Sequence, residues 1–234
     1  TIYAKKMDSL AKVAKKIIFR GGAAKNIYST YANSVVYIYN PIAETMGSGS
    51  LIDKSGLVIT NWHVINKAEL VGIWTKPKKG KKLEEQDPLG AVVLLVNQLA
   101  DLAIIKVSGL PKDMKPVLFG NFNDIDVGEN VYAIGHPEGL PWSFTVGTVS
   151  AIRPDHEWTY LDGTKHKADL IQTQTPISPG NSGGPLFNEA GKLIGINTSK
   201  AGGELLNFSV AVNHVKTIIK NNPDLAKTNP GSAR

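Results

Sequence analysis

The sequence predicts an all-β fold of two six-stranded antiparallel β-barrels, with an amphipathic helix at the N-terminus and a short helix near the C-terminus. Two observations carry this prediction. Short β-type runs separated by turn residues follow one another in two groups of about six, as the strands of small barrels do. The 234 residues also include 23 Gly and 13 Pro, which supply the many turns that such strands need.

The first predicted element is an amphipathic helix over residues 1–22. Its larger apolar residues recur at helical spacing from Met7 to Ile18, while lysines occupy the other faces. Gly21 and Gly22 follow, where a left-handed C-terminal cap favours glycine. We expect this helix to pack on the protein or on another subunit, and the alternative is binding to a membrane surface.

One folded domain is predicted over residues 23–222, and its first barrel covers about 34–112. Its strands are expected at 34–40, 48–53, 56–65, 68–75, 91–96 and 101–107. The turn from Asp53 to Gly56 joins the second run to the third as in a hairpin. The second barrel is predicted over about 116–212. Its strands are expected at 131–135, 143–152, 169–175, 184–188, 192–198 and 206–212.

The C-terminal helix is predicted over 213–222. Asn213 is a residue type that caps helix N-termini, and Pro223 cannot continue a helix. Residues 223–234 are interpreted as a tail.

Composition excludes several classes of protein. The chain has no cysteine, which removes disulfide frameworks, thiolate zinc sites and cysteine nucleophiles. It has no run of about 18 apolar residues, so no membrane span is expected. The net charge of +6 owes much to lysines near the N-terminus and at 76–82, without interleaved aromatic residues that could stack on bases, so we expect no nucleic-acid partner.

The string from Gly180 to Gly184 carries the chemistry. Ser182 is bracketed by glycines between two β-type runs, where the backbone turns tightly and can approach a ligand closely. The amides of Gly180 and Ser182 are placed to donate to a developing oxyanion, which is what acyl transfer needs. Ser182 is therefore the candidate nucleophile, and Gly180 with Ser182 is the candidate oxyanion hole.

A serine hydroxyl needs a base and a carboxylate to orient that base. His63 lies in the string TNWHV at the end of an apolar run, and Asp101 opens the run DLAIIKV. The chain order of His63, Asp101 and Ser182 is that of the two-barrel serine peptidases. This order places the base and the carboxylate in the first barrel and the nucleophile in the second, so the site is expected in a cleft between them. Neither a metal nor a cofactor is expected.

The sequence resembles the trypsin-like serine peptidases, and within them the HtrA/Deg branch. The matching strings are SGSLIDKSGLVITNWHVI, DLAIIKV, AIGHPEGL, TVGTVSAI, LIQTQTPISPGNSGGPLFNEAGKLIGINT and NFSVAVN. The resemblance implies barrels of the chymotrypsin/trypsin type. It also implies His63 as general base, Asp101 as orienting carboxylate and Ser182 as nucleophile.

The chain departs from the branch at three places. Members typically carry PDZ domains after the protease domain, and only about twenty residues follow Asn213, so this module is missing or the chain is a fragment. His136 stands where the branch has Asn in the string AIGNP. Asn207 stands where the branch has Gly before the Phe of the pocket strand, which bears on the width of the substrate cleft.

The remaining histidines are interpreted as structural. These are His136, His156, His166 and His214. A zinc site from His156 and His166 is the alternative, and it would need Asp155 or Asp162 as a further ligand.

The resemblance also indicates the primary pocket. Its base is expected at residues 176–178, around Ile177, with no acid to attract Lys or Arg. Its wall is expected from the strand that holds Leu206, Asn207, Phe208 and Val210. An apolar lining discriminates weakly between similar side chains, so a loose preference for aliphatic residues follows.

The function implied by the resemblance is a serine endopeptidase of protein quality control. It would act on unfolded or exposed polypeptides in an extracytoplasmic compartment, the bacterial periplasm. The alternatives are a non-proteolytic peptide-binding or chaperone scaffold and a site-specific processing protease. A homotrimer through the N-terminal segment is expected, since residues 1–39 carry the helix followed by Tyr28, Tyr31, Tyr37 and Tyr39, and the alternative is a monomer whose helix packs on its own barrel.

Overall fold

The computed structural model describes residues 22–160, 162–200 and 207–227. The helix predicted over 1–22, apart from Gly22, lies outside the described residues. So do Leu206 of the predicted pocket wall and the end of the tail from residue 228.

The first barrel is closed and antiparallel. Its strands are β1 (Val35–Asn40), β2 (Thr45–Asp53), β3 (Leu57–Thr60), β4 (Leu70–Trp74), β5 (Leu89–Asn97) and β6 (Leu102–Val107). They pair in the order β1-β2-β3-β6-β5-β4, and β4 returns to β1. Alternate side chains such as Val36, Ile38 and Ile105 fill the interior, as the two-residue period of a strand requires.

The run predicted as one strand over 56–65 is a strand followed by a helix. β3 ends at Thr60, and a short helix α2 (Trp62–Ile65) contains His63. The chain leaves the barrel here because the Asn61 amide and the Trp62 N–H both donate to the main-chain carbonyl of Asp101. Val64 and Ile65 remain apolar because they pack into the core of the first barrel. The apolar pattern therefore extends beyond the strand that it predicted.

The second half forms a seven-stranded sheet that closes on itself. Its strands are β7 (Leu118–Phe119), β8 (Asn130–Gly135), β9 (Ser143–Thr159), β10 (Lys165–Thr173), β11 (Pro185–Asn188), β12 (Lys192–Lys200) and β13 (Asn207–Ala211). The order is β11-β8-β9-β10-β13-β12-β7, and a further pairing of β11 with β12 joins six antiparallel strands into a ring. β7 runs parallel to β12 at its edge. The prediction of two six-stranded barrels is confirmed.

The β9–β10 hairpin is much longer than the sequence predicts. β9 continues seven residues past 152, and after a bulge near Ala168 the two strands stay paired as far as Thr159 and Lys165. The extension reaches the first barrel, where the Lys167 N–H donates to the Leu99 carbonyl over 2.7 Å. The hairpin therefore bridges the two barrels.

A helix α1 over residues 22–31 precedes the first barrel. Gly22 is the first described residue of this helix, and the end of the helix predicted over 1–22 stays a prediction. Ile27 is buried in the core, and the Tyr31 ring stacks on Phe187 of β11 with centroids 4.9 Å apart. This helix thus packs on the second barrel of its own chain.

The C-terminal helix α3 (Val212–Asn221) begins before Asn213. Asn213 as its N-cap is wrong, because the cap position is Ala211 and the Asn213 amide instead donates to the Asp169 carboxylate over 2.6 Å. The tail begins with a 3₁₀ turn (Leu225–Lys227), and the Lys106 ammonium donates to the Ala226 carbonyl within it. In the part of the chain that the structure describes, no helix is long and apolar enough to span a membrane.

Candidate active site

A cleft of about 550 Å³ is lined by residues of both barrels. The first barrel contributes Thr45, Met46, His63 and Val64, and the second contributes Glu138, Tyr160, Ile177, Ser178, Pro179, Gly180, Ser182 and Thr198. His63 and Ser182, which are far apart in the sequence, thus share one cleft.

Asp101 lies beneath His63 and is fully buried. Its Oδ2 accepts a hydrogen bond from His63 Nδ1 over 2.8 Å, and its Oδ1 accepts the His63 backbone N–H over 3.0 Å. Oδ2 also accepts the hydroxyls of Thr198 and Tyr160. A buried carboxylate needs such partners, because an unpaired charge in the interior costs several kcal/mol.

These contacts stabilise the ionised form of Asp101. Burial alone would raise the pKa of Asp101, but the charge of His63 and the hydrogen bonds from His63 and Thr198 outweigh burial and hold the pKa below its ordinary value. Asp101 is therefore an ionised carboxylate that fixes the Nδ1–H tautomer of His63 and leaves Nε2 as the acceptor.

The backbone around Asp101 explains how the site is assembled. Asp101 has a left-handed conformation with φ of 53°, and its N–H donates to the Gln98 carbonyl in the turn between β5 and β6. Its own carbonyl accepts from Asn61 and Trp62 at the start of α2. One residue therefore orients His63 through its side chain and anchors the helix of His63 through its main chain.

Ser182 sits in a turn that only glycines can form. Gly180 and Gly183 have φ of 99° and 83°. A Cβ on Gly180 would collide with the His136 carbonyl, and a Cβ on Gly183 would collide with the Ser48 carbonyl. The Ser182 carbonyl accepts the Ser48 N–H over 2.8 Å, which ties this turn to β2 of the first barrel.

The Ser182 hydroxyl points to a main-chain acceptor. Its Oγ donates to the Thr198 carbonyl over 2.8 Å. Among the described residues no hydrogen bond joins Ser182 to His63, so the pair predicted from the sequence is not formed while Oγ donates to Thr198. Thr198 therefore contacts both ends of the site, the carboxylate of Asp101 through its hydroxyl and Ser182 through its carbonyl.

The peptide group between Pro179 and Gly180 is oriented by the 3₁₀ turn Pro137–Gly139. The Glu138 N–H donates to the Pro179 carbonyl over 2.8 Å. Because the peptide bond is trans, the Gly180 N–H points away from this turn. Within the described residues neither the Gly180 nor the Ser182 N–H donates to a protein acceptor. Two main-chain donors are thus available beside the Ser182 hydroxyl.

The family model described as a trypsin-like peptidase domain matches residues 47–196, which include His63, Asp101 and Ser182. The chain belongs to the trypsin-like peptidase family.

Relatives of this peptidase domain are Deg and HtrA proteins. The chain is 33% identical to "Protease Do-like 1, chloroplastic" of Arabidopsis thaliana over 84% of its length and 46% of that protein. It is 37% identical to a "Probable periplasmic serine endoprotease DegP-like" of Pseudomonas savastanoi over 72% of the chain and 33% of that protein. The chain thus spans between a third and just under half of the length of these curated relatives.

Solved structures support the same assignment. The crystal structure of Deg5 superposes with a TM-score of 0.68 at 28% identity, covering 84% of this chain and 92% of Deg5. The HtrA-type protease AlgW with tripeptide gives a TM-score of 0.70 at 28% identity, covering 85% of this chain and 62% of AlgW. The resemblance to the HtrA/Deg branch that the motifs indicate is confirmed.

His136, which departs from the branch, is buried under the turn that holds Ser182. Ser48 Oγ lies 2.8 Å from His136 Nδ1 and donates to the Gly180 carbonyl over 2.7 Å. Since the Ser48 hydroxyl has one proton, Nδ1–H of His136 is the donor to Ser48, and Nε2 is a buried atom without a partner among the described residues. His136 is therefore a structural histidine held in its neutral form, and burial lowers its pKa to about 3.

We expect His136→Asn to make the protein less sensitive to acid. The histidine of the unfolded chain takes up its proton near pH 6.5, whereas the folded one resists until about pH 3, so the unfolded state binds more protons in this window. The wild-type free energy of unfolding should therefore fall with decreasing pH by up to about 1.4 kcal/mol per pH unit more than that of the variant. Urea unfolding at pH 7.5, 6 and 5 measures both slopes. Equal slopes would show that His136 does not contribute.

The predicted pocket residues are placed unequally. Ile177 lines the cleft beside Ser178. Asn207, Phe208 and Val210 are buried in β13, where Phe208 stacks on the His156 ring and Val210 packs in the core. Residues 201–206, which precede this strand in the sequence, lie outside the described residues. The pocket wall at Leu206 to Val210 therefore stays a prediction.

The other histidines make structural contacts. His166 Nδ1 lies 2.6 Å from the Gln98 carbonyl, and His214 Nε2 accepts the Asp169 N–H over 2.8 Å. Across the described ranges no three His, Asp or Glu side chains are grouped as a metal site would need.

Three contacts of the site are absent from the sequence-based prediction. Thr198 lies within a matched string, so the string INT could have indicated it. Ser48 also lies in a matched string, but its contact with His136 depends on a residue that departs from the branch. Tyr160 reaches Asp101 from the tip of the β9–β10 hairpin, 59 residues away, and no spacing rule reveals it.

Proposed function

We propose that this chain is a serine endopeptidase that hydrolyses peptide bonds through an acyl-enzyme on Ser182. The observation that carries the proposal is the 2.8 Å bond between His63 Nδ1 and the buried Asp101 carboxylate in the cleft that also holds Ser182. A histidine oriented in this way, with Nε2 free, is the base that a serine nucleophile needs.

Acylation begins when the Ser182 hydroxyl leaves the Thr198 carbonyl and turns to His63 Nε2. Oγ then attacks the carbonyl carbon of the scissile bond while Nε2 takes its proton. The N–H groups of Gly180 and Ser182 donate to the oxyanion of the tetrahedral intermediate. Nε2 returns the proton to the leaving amine as the C–N bond breaks, and a water activated in the same way hydrolyses the ester.

Digestion of unfolded casein tests this function. We expect the wild type to degrade casein and the Ser182→Ala variant to leave it intact at the same protein concentration. Intact casein with the wild type, together with suppressed aggregation of an unfolded protein by both forms, would favour a non-proteolytic chaperone scaffold. Cleavage of one bond in a native partner, with casein untouched, would favour a site-specific processing protease.

The proposed role is protein quality control on unfolded or exposed polypeptides. Its support is the likeness to DegP-like and Do-like proteases and a cleft open to solvent between two barrels. The proposed compartment is extracytoplasmic, namely a bacterial periplasm, which is the location that the name of the DegP-like relative gives for that protein.

We expect cleavage to follow Val, Ala, Ile or Leu rather than Lys or Arg. Ile177, Met46 and Val64 give the cleft an apolar lining, whereas the acidic Glu138 sits on the exposed turn 137–139. Mass-spectrometric mapping of casein fragments gives the residue before each cut. Cuts mainly after basic residues would overturn this assignment and would point to Glu138 as the residue that binds the substrate side chain.

We also propose a homotrimer held by the N-terminal segment. Tyr28 and Tyr31 of α1 contact Trp142 and Phe187 of their own chain, so the contacts between subunits are assigned to the amphipathic segment before α1. Light scattering should give about 75 kDa, three times the chain mass of 25.1 kDa. Deleting residues 1–21 should give a monomer, because the segment assigned to the subunit contacts is removed. The truncated chain should stay folded, because α1 and its contacts with the barrel remain. A wild-type mass of one chain, or a truncated form that stays trimeric, would contradict this.

A further inference from the structure

The tip of the β9–β10 hairpin is fixed against the first barrel. His166 Nδ1 and the Lys167 N–H contact the carbonyls of Gln98 and Leu99, three and two residues before Asp101. Tyr160 follows β9 directly, and its N–H donates to the Thr164 carbonyl while its carbonyl accepts the Gly163 N–H. The backbone of Tyr160 is thus held in a tight turn whose strands are anchored beside the carboxylate.

The side chain of Tyr160 reaches three polar groups of the site at once. Its hydroxyl lies 2.9 Å from Asp101 Oδ2, 3.0 Å from Thr198 Oγ1 and 3.2 Å from His63 Nδ1. Its ring packs edge-to-face on the His63 ring with centroids 5.4 Å apart and on the His166 ring with centroids 4.7 Å apart.

The phenol can only act as a donor to the carboxylate. Burial, followed by the charge of Asp101, raises the pKa of Tyr160 far above its ordinary value, so the hydroxyl keeps its proton. Asp101 is ionised and accepts only. Oδ2 therefore receives the hydroxyl protons of Tyr160 and Thr198 in addition to the Nδ1–H of His63.

We propose that Tyr160 is a positioning residue of the active site, which fixes Asp101 and moderates the strength with which this carboxylate holds a proton on His63. The proposal rests on the function proposed above. Hydrogen-bond donors to Oδ2 spread the negative charge of the carboxylate. They therefore weaken the electrostatic stabilisation that Asp101 gives to the imidazolium form of His63. Removing the Tyr160 hydroxyl should therefore increase the proton affinity of His63 and loosen its orientation.

The groups around this cluster are all retained when the hydroxyl is removed. Titratable groups that face it are Asp101 from the β5–β6 turn, His63 from α2 and His166 from β10, and Glu138 lines the same cleft from the turn after β8. A shift in the titration of His63 in Tyr160→Phe is thus attributable to the lost hydroxyl.

Kinetics of Tyr160→Phe test the proposal, since phenylalanine keeps the ring and its packing. We expect kcat to fall about tenfold with KM within about twofold of the wild type, because the bond to Asp101 orients the base and does not touch the substrate. The midpoint of the acidic limb of kcat/KM should move to higher pH by about half a unit. A merely structural hydroxyl would not move this limb.

Tyr28→Phe is the matched control, because it removes a tyrosine hydroxyl that bonds to the Trp142 carbonyl away from the cleft. We expect its kcat and its pH profile to equal those of the wild type. Tyr160→Phe with an unchanged kcat and an unchanged acidic limb would overturn the proposal.

A second measurement does not depend on peptidase activity. In the Ser182→Ala background, imidazole resonances of His63 followed by NMR should titrate about half a pH unit higher with Tyr160→Phe than without it. This shift would support the link from Tyr160 to Asp101 even if the wild type left casein intact. Intact casein would refute the proposed function and not the role of Tyr160. Identical titrations in the two proteins would refute the role of Tyr160.

Discussion

Ser182→Ala is expected to lower peptidase activity by on the order of 10⁴-fold or more while the protein stays folded. The change removes the oxygen that forms the ester with the substrate in the proposed mechanism. Its cost to the fold is small, because the lost hydroxyl bond to the Thr198 carbonyl lies at the cleft surface and the glycines around Ser182 keep their conformations.

The measurement is kcat/KM on a peptide substrate, with circular dichroism and urea unfolding to verify the fold. Ser29→Ala is the control, since Ser29 lies exposed on α1 and its hydroxyl donates to the nearby Asn26 carbonyl. The control should keep wild-type activity. Hydrolysis by purified Ser182→Ala at the wild-type rate would remove Ser182 from the mechanism.

Asp101→Asn should reduce kcat by about 10⁴-fold at neutral pH. Asparagine has one acceptor oxygen where the carboxylate has two, and its NH₂ group would donate to His63 Nδ1. The imidazole would then carry its proton on Nε2, which faces the cleft, and could not accept the proton of Ser182. The effect on catalysis is therefore a change of tautomer and not only a loss of charge.

The same substitution should lower the free energy of unfolding by about 2–4 kcal/mol, because the hydroxyls of Thr198 and Tyr160 and the His63 N–H lose a buried charged acceptor. Urea unfolding at pH 7 measures this loss. Asp113→Asn, an exposed acid on the segment between the barrels, is the control and should leave both quantities unchanged. A kcat within tenfold of the wild type would show that Asp101 does not set the tautomer of His63.

The sequence was informative where a residue's role is fixed by its neighbours in the chain. The glycines around Ser182 and the acid at the start of β6 are local features, and the structure places both in the cleft region. The sequence predicts strand where His63 lies in a helix, because the apolar residues Val64 and Ile65 pack in the barrel core and their pattern does not show where the backbone turns.

Features that depend on distant contacts could not be predicted. Asn213 is not the N-cap of α3, because its side-chain amide donates to the carboxylate of Asp169, which is distant in the sequence. The sequence predicts that the strand β9 ends at 152, whereas it continues to Thr159. The outer half of the hairpin, with Asp155, Glu157 and Lys167, is polar and lacks the apolar alternation of a packed strand. Tyr160 was missed with it.

The resting contact of Ser182 has a kinetic consequence. The Ser182 hydroxyl has one proton, which the structure places on the Thr198 carbonyl and the proposed reaction requires on His63 Nε2, so the contact with Thr198 must break before acylation. Every 1.4 kcal/mol by which the carbonyl contact is preferred lowers the reactive population about tenfold. Acylation by a substrate and labelling by a fluorophosphonate draw on that same population, so both rates scale together with any change at Thr198 that alters the balance between the rotamers.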